Sequence, residues 1–304
     1  MVFSLEQLKN WKGFRNPYVV LALIFLLAIC VRSLPLRFEG LFDPDSHFHA
    51  RLSAEMARSG NALLDWDFLS LQGRVYSYPP LLHVLLASLS VLSGVDTLSV
   101  IKVLGIIVGA LFSISVFLLA FELTQSQSIS LWSSLFAGIS SIAVWRTVGF
   151  TRPDGIALTL IPFLLYLWLT RRQGLAFVLS IALVLLHPLS ALVYAGMLGC
   201  WFCAQVFQKK PYPIFVPVVM LGMLLAFLFW IFSIGLPLSN YVSHVSLEAG
   251  ELVKFMVVGF ILFFPFSWVF AFVGMWKTRL PVPLLLWLGL TLFVGMMGTR
   301  MAAY

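Results

Sequence analysis

Charge is scarce in this sequence. Of 304 residues only 10% are Asp, Glu, Lys or Arg, 61% are hydrophobic and the mean hydropathy is +1.00. A soluble globular domain needs a polar exterior that this composition does not supply, so the chain reads as an all-α polytopic membrane protein. Cysteine is rarer still: three residues, Cys30 in an apolar run and Cys200 and Cys203 in a Cys-Trp-Phe-Cys pair. That number makes no disulfide framework. The pair lies within an apolar helical run with no strand before it, which favours packing over redox chemistry. Repeats, low-complexity tracts and a soluble domain are missing too. A continuous basic patch is also absent: the net charge of +7 comes from residues scattered between apolar runs. This excludes a nucleic-acid surface and fits positive-inside topology. No small-residue cleavage site follows Lys9, Lys12 and Arg15, so the first apolar run reads as a retained helix rather than a signal peptide.

What is present is a series of apolar runs, each near the roughly 20 residues that a membrane helix requires. The expected spans run from Tyr18 to about Val31, Leu98 to Phe121, Ile129 to Trp145 and Ile156 to Thr170. A pair of spans bent at His187-Pro188 follows and ends before Lys209-Lys210. Ile214 to Ile234, Phe255 to Trp276 and Val282 to Met297 complete about nine. Residues 1–16 form a cytoplasmic lead and residues 33–96 a long external loop with short helices. Pro79-Pro80 opens one of these, Leu81 to Leu92, which is short and reads as interfacial or re-entrant rather than crossing. With that helix not crossing, Lys9, Lys12, Arg15, Arg171, Arg172, Lys209, Lys210, Lys277 and Arg279 fall on the cytoplasmic side. Ten of the twelve acidic residues fall on the other: Glu39, Asp43, Asp45, Glu55, Asp65, Asp67, Asp96, Asp154, Glu248 and Glu251. The separation supports that topology, with residues 1–304 as one membrane domain of the cell membrane and its chemistry on the external face.

The densest polar stretch is Phe42-Asp43-Pro44-Asp45-Ser46-His47-Phe48-His49-Ala50-Arg51, which directly follows the first apolar segment. Carboxylates suit a hard divalent cation and imidazole is tolerated toward manganese. The alternative is a solvated loop whose Asp residues cap a helix starting near Ser46. Three more polar runs lie on the same expected face or membrane edge: Trp145-Arg146-Thr147-Val148-Gly149-Phe150-Thr151-Arg152-Pro153-Asp154, Ser243-His244-Val245-Ser246-Leu247-Glu248, and Gly298-Thr299-Arg300-Met301-Ala302-Ala303-Tyr304.

In this order and at this approximate spacing, the four runs resemble those of the catalytic subunits of oligosaccharyltransferases, glycosyltransferases of the GT-C class. The resemblance implies a GT-C-like helix bundle. It implies transfer of an oligosaccharide, with inversion, from a polyprenyl or dolichyl (pyro)phosphate carrier to asparagine of an acceptor polypeptide in the bilayer. Asp45 and Asp154 would hold Mn2+ or Mg2+, with His49 a third ligand or an orienting group. Glu248, with Glu251 in reserve, would reach the acceptor amide, and Arg300 would face the lipid-linked phosphate. Arg146 and His187 would lie on the substrate side. The second run departs from the family pattern. It offers one acid where the family carries two, Ile156 stands at the second position, and Arg152 adds a positive charge nearby. Family members continue into further spans and a soluble domain that grips the sequon, so the chain reads as a partial or truncated form.

Each of these residues also has a structural reading. Asp45 and Asp154 suit helix starts, Arg146 could snorkel to the interface, and His187 could serve a helix bend at Pro188. Glu248 could be a solvated loop charge, whereas charge at the membrane edge, as at Arg300, is usually functional. His83 and His244 read as surface or interface residues, and the aromatic-rich spans as packing or lipid-facing surface. Two other classes fit the same outline. A GT-C enzyme moving a single sugar from a polyprenyl-phosphate donor would need no sequon-binding domain. A transporter should place its polar groups near the membrane midplane, whereas here they cluster at one face; a non-catalytic membrane subunit stays open because Ile156 stands at the second acidic position.

Overall fold

The structure, a computed structural model, describes residues 16–37, 44–61, 66–67, 74–75, 78–139, 144, 152–207 and 215–234. These residues are almost entirely helical. The α-helices are α1 (Pro17–Ser33), α2 (Pro44–Ser59), α3 (Leu81–Ser93), α4 (Thr97–Thr124), α5 (Gln127–Ile139), α6 (Pro153–Leu169), α7 (Gln173–Leu186), α8 (Pro188–Phe207) and α9 (Phe215–Ile234), with a 3-10 turn at Leu34–Arg37. The seven helices α1 and α4 to α9 overlie the first seven expected spans, because long apolar runs bounded by Pro, Asn, Asp and paired basic residues leave few places to start or stop. The last two expected spans lie outside the described residues. A small antiparallel ladder with no periodicity to announce it pairs Trp66 with Val75 and Asp67 with Arg74.

Contacts group the chain into two units, residues 1–64 with 80–179, and residues 65–79 with 180–304. In the first, α4 is the central element and packs against α1, α2, α3, α5 and α6. Its buried face carries Gly105, Gly109, Ala110 and Ser113. Small residues let neighbouring backbones approach closely, the geometry that membrane helices use where apolar burial gives no driving force between them. Gly138 of α5 meets this face: a Cβ there would lie 3.4 Å from that of Ser113 and 3.5 Å from that of Ala28 in α1. Arg32, at the end of α1, is fully buried and donates through Nη1 to the carbonyls of Ala28 and Gly138, clamping α1 to α5. In the second unit α8 packs on α9, and Ser180 Oγ lies 3.4 Å from the Tyr194 hydroxyl in a buried contact.

Among the described residues, α4 alone, with 28 residues, is long and apolar enough to cross a bilayer; α1, α3, α6, α7 and stretches of α8 and α9 are shorter and apolar. Helix α3, at 13 residues, spans about 20 Å, less than the ~30 Å of a hydrocarbon core. Its C-terminus is closed by Gly94, whose φ of +68° is a left-handed conformation that glycine adopts without strain. Two residues later Asp96 caps α4. Its carboxylate accepts the hydroxyl proton and the backbone N–H of Ser99, and these bonds hold the carboxyl below its ordinary range.

Two outcomes follow. Gly138→Ala should leave the apparent Tm of the detergent-solubilised protein nearly unchanged, whereas Gly138→Leu should push α1 and α4 away from α5 and destabilise by about 1–3 kcal/mol. Because folding lowers the Asp96 pKa, the cap stabilises the protein fully above the unfolded carboxylate range, and the contribution is lost as pH falls through the lowered value. Asp96→Ala should therefore melt below wild type at neutral pH, and the gap should close in strong acid.

Candidate functional site

The candidate site is built at two helix starts of the same design. Helix α2 opens Pro44-Asp45 and α6 opens Pro153-Asp154. Proline at the first helical position has no N–H to leave unsatisfied and presets the backbone. The following Asp lies in the first turn, where free amides and the helix dipole favour a carboxylate. Asp154 Oδ1 accepts the Gly155 N–H at 3.1 Å. Both acids thus stand one residue inside the helix rather than at the capping position. The N-cap of α6 is Arg152, which makes no side-chain cap bond.

Arg152 brings the two starts together. Its Nη2 lies 2.8 Å from Asp45 Oδ2 and its Nε 3.5 Å from Asp154 Oδ1. The two carboxylates are 109 positions apart in sequence yet share one guanidinium. The side chains are 43% (Asp45), 26% (Asp154) and 15% (Arg152) exposed, so the cluster is reachable from solvent while its cation is largely covered. By contrast, Arg58 pairs with Glu55 within one turn of α2 and is 77% exposed, a surface contact of small worth.

Buried hydrogen bonds fix where the helix starts lie. Thr97 Oγ1, at the head of α4, donates to the Ala50 carbonyl of α2 at 3.2 Å. Thr159 Oγ1 of α6 donates to the Val108 carbonyl of α4 at 3.0 Å. Helix α2 is held a second time by its imidazole: His49 Nδ1 lies 2.8 Å from His83 Nε2 of α3, with both rings buried and Phe48 edge-on to each. His83 is therefore no surface or interface residue. It belongs to the buried stripe Leu82, His83, Leu86 and Ala87, an i, i+4 pattern visible in the sequence.

Of the other expected residues, His187 lies in the second unit. Its Nδ1 accepts the Ser190 N–H at 3.3 Å and lies 2.7 Å from Ser190 Oγ, so the ring caps the start of α8. With Nδ1 accepting, the neutral ring carries its proton on Nε2. Arg146, Glu248, Glu251, His244, Asp43 and Arg300 lie outside the described residues. Among the described residues no three His, Cys, Asp or Glu side chains gather as a metal cage. His49 is turned to His83, and the acidic donors at hand are Asp45 and Asp154. Two carboxylates are a fitting protein contribution for a hard divalent ion, which completes its shell with water and substrate phosphate.

No family model matches the chain. It is similar to the dolichyl-phosphooligosaccharide-protein glycotransferase 1 of Archaeoglobus fulgidus, with 28% identity over 204 residues. The alignment covers 62% of this chain and 34% of that protein. This chain is thus similar to one part of that glycotransferase. It spans about a third of the length of the relative it matches.

The imidazole contact is testable by a double-mutant cycle. His49→Leu and His83→Leu should each destabilise the protein by about 1–3 kcal/mol, because each strands a buried polar partner, while the double variant should lose less than their sum. Additive losses in apparent Tm and denaturant midpoint would show that the rings do not interact.

Proposed function

We propose that the chain is the membrane-embedded part of an oligosaccharyltransferase-type glycosyltransferase. In this reading it moves an oligosaccharide, with inversion, from a polyprenyl or dolichyl (pyro)phosphate to an acceptor asparagine. The convergence of Asp45 and Asp154 carries the reading, because these two acids come from separate motifs that the resemblance links to one centre. The relative's name, a dolichyl-phosphooligosaccharide-protein glycotransferase, supports it.

The chemistry follows from charge. A glycosyl phosphate leaves as an anion and an amide nitrogen is a poor nucleophile, so the site must stabilise developing negative charge and position the amide. Asp45 and Asp154 would hold Mn2+ or Mg2+, which supplies Lewis-acid stabilisation of the leaving phosphate when bound. Two helix N-termini beside those carboxylates favour anionic groups in the same place. Glu248 would accept hydrogen bonds from the acceptor amide, and Arg300 and Arg146 would pair with phosphate, Arg300 in the bidentate manner open to a guanidinium. His187 would act on the substrate side only through the α8 start that it caps.

The membrane setting rests on composition and surface. Helix α9 exposes Leu221, Leu224, Leu225 and Phe229, and α1 exposes Val19, Leu23, Leu26 and Leu27. Contiguous apolar faces of this kind suit lipid rather than water. About nine spans in a single GT-C-like bundle, an N-terminus in the cytoplasm and an outward catalytic face complete the reading, with lipid-linked glycan, acceptor polypeptide and bilayer as its partners.

The test is glycan transfer to an acceptor peptide by the intact protein in membranes. Asp45→Ala and Asp154→Ala should each lower transfer at least a hundredfold while leaving the protein expressed and folded. Full activity in Asp45→Ala would remove the metal assignment, and absence of transfer by the wild-type protein with any lipid-linked donor would remove the function.

A further inference from the structure

We propose that Arg152 is the resident counter-ion of the Asp45–Asp154 pair, so that a divalent cation reaches these carboxylates only by displacing its guanidinium. The inference rests on the reading above for the ion's purpose, but the competition itself rests on the geometry of three side chains.

The guanidinium contacts the two acids through different nitrogens, Nη2 to Asp45 at 2.8 Å and Nε to Asp154 at 3.5 Å. The guanidinium offers the two acids separate nitrogens held in one rigid plane, whereas a lysine would meet both through a single nitrogen. The carboxylate oxygens that face Arg152 are those that an ion would bind. A divalent cation drawn to them would stand within a few ångströms of a fixed positive group, and like charges at that distance exclude one another. Arg152 is only 15% exposed, so solvent screens this repulsion poorly. Nor can its backbone retreat: the Arg152 carbonyl accepts the N–H groups of Gly155 and Ile156 in the first turn of α6. The side chain must swing away while its Cα stays.

The occupant also answers a departure noted in the sequence. The run carries a single acid, with Ile156 at the second position, so the local ligand charge is low. The guanidinium offsets one of the two carboxylate charges and keeps the two helix starts together when no ion is bound. An arriving phosphate would give the displaced guanidinium a new bidentate partner. Ion and anionic donor should therefore bind with positive coupling, each easing entry of the other.

The measurement is Mn2+ binding alone, by titration of the intact detergent-solubilised protein with free Mn2+ read by electron paramagnetic resonance. Arg152→Gln should bind Mn2+ about tenfold more tightly than wild type. The gain should vanish in Asp45→Asn/Arg152→Gln. Equal or weaker affinity in a folded Arg152→Gln protein overturns the proposal, as does a gain that survives loss of Asp45. Should Arg152→Gln not fold, Arg152→Lys is measured instead, with a smaller gain expected because the ammonium keeps the charge but loses the rigid two-nitrogen contact; no gain there overturns the proposal too. The two readings fail separately. Unaltered Mn2+ affinity in a protein that transfers glycan ends this proposal alone. An Asp45-dependent gain in a protein that transfers nothing ends the transferase reading and leaves the competition standing.

Discussion

One guanidinium shared by two carboxylates sets the terms for the rest of this structure. Charge is sparse in this chain, and three of its charged side chains meet at this one point. Asp45 and Asp154 belong to helices far apart in the chain, and each could have been satisfied locally by its own first turn. They are joined instead through Arg152. The contact makes the relative placement of α2 and α6 a condition for neutralising charge, and the packing beneath maintains that placement.

That support comes mainly from backbone acceptors. Thr97 and Thr159 bind carbonyls of neighbouring helices, and small residues along α4 bring those helices close enough for a hydroxyl to reach. The imidazole contact between α2 and α3 adds a second anchor to the helix that presents Asp45. Such polar ties rigidify when complete, because an unmade bond in a low-dielectric interior is expensive. These ties hold in place the two helix starts that carry Asp45 and Asp154.

Helix positions were legible because hydropathy and helix punctuation coincide in this chain: the run from Leu98 to Phe121 became Thr97–Thr124, and Ile214 to Ile234 became Phe215–Ile234. Asp45 and Asp154 were legible as members of motifs. The alternative reading of them as capping residues does not hold in position, since the prolines before them take the first helical position and move each acid one residue inward. His83 was misplaced by residue type, although its spacing with Leu82, Leu86 and Ala87 marked a buried stripe. The bridging by Arg152 could not be read from spacing at all. Its neighbour Asp154 was an obvious partner, but nothing local pointed to Asp45, 107 positions earlier. The ladder pairing Trp66 with Val75 was equally hidden, because two-residue strands carry no periodicity.

The Arg32 clamp has a different kind of consequence. Its acceptors are main-chain carbonyls, of Ala28 and Gly138, which every residue type provides. The hydrogen bond therefore places no demand on the chemistry at position 138; only the tight fit against Ser113 and Ala28 restricts that residue, and it does so by size. Across diverging relatives the arginine would persist without a matching acid that changes in step with it. Methods that infer contacts from paired substitutions would pass over the link between α1 and α5, although it is among the most deeply buried polar contacts in the bundle.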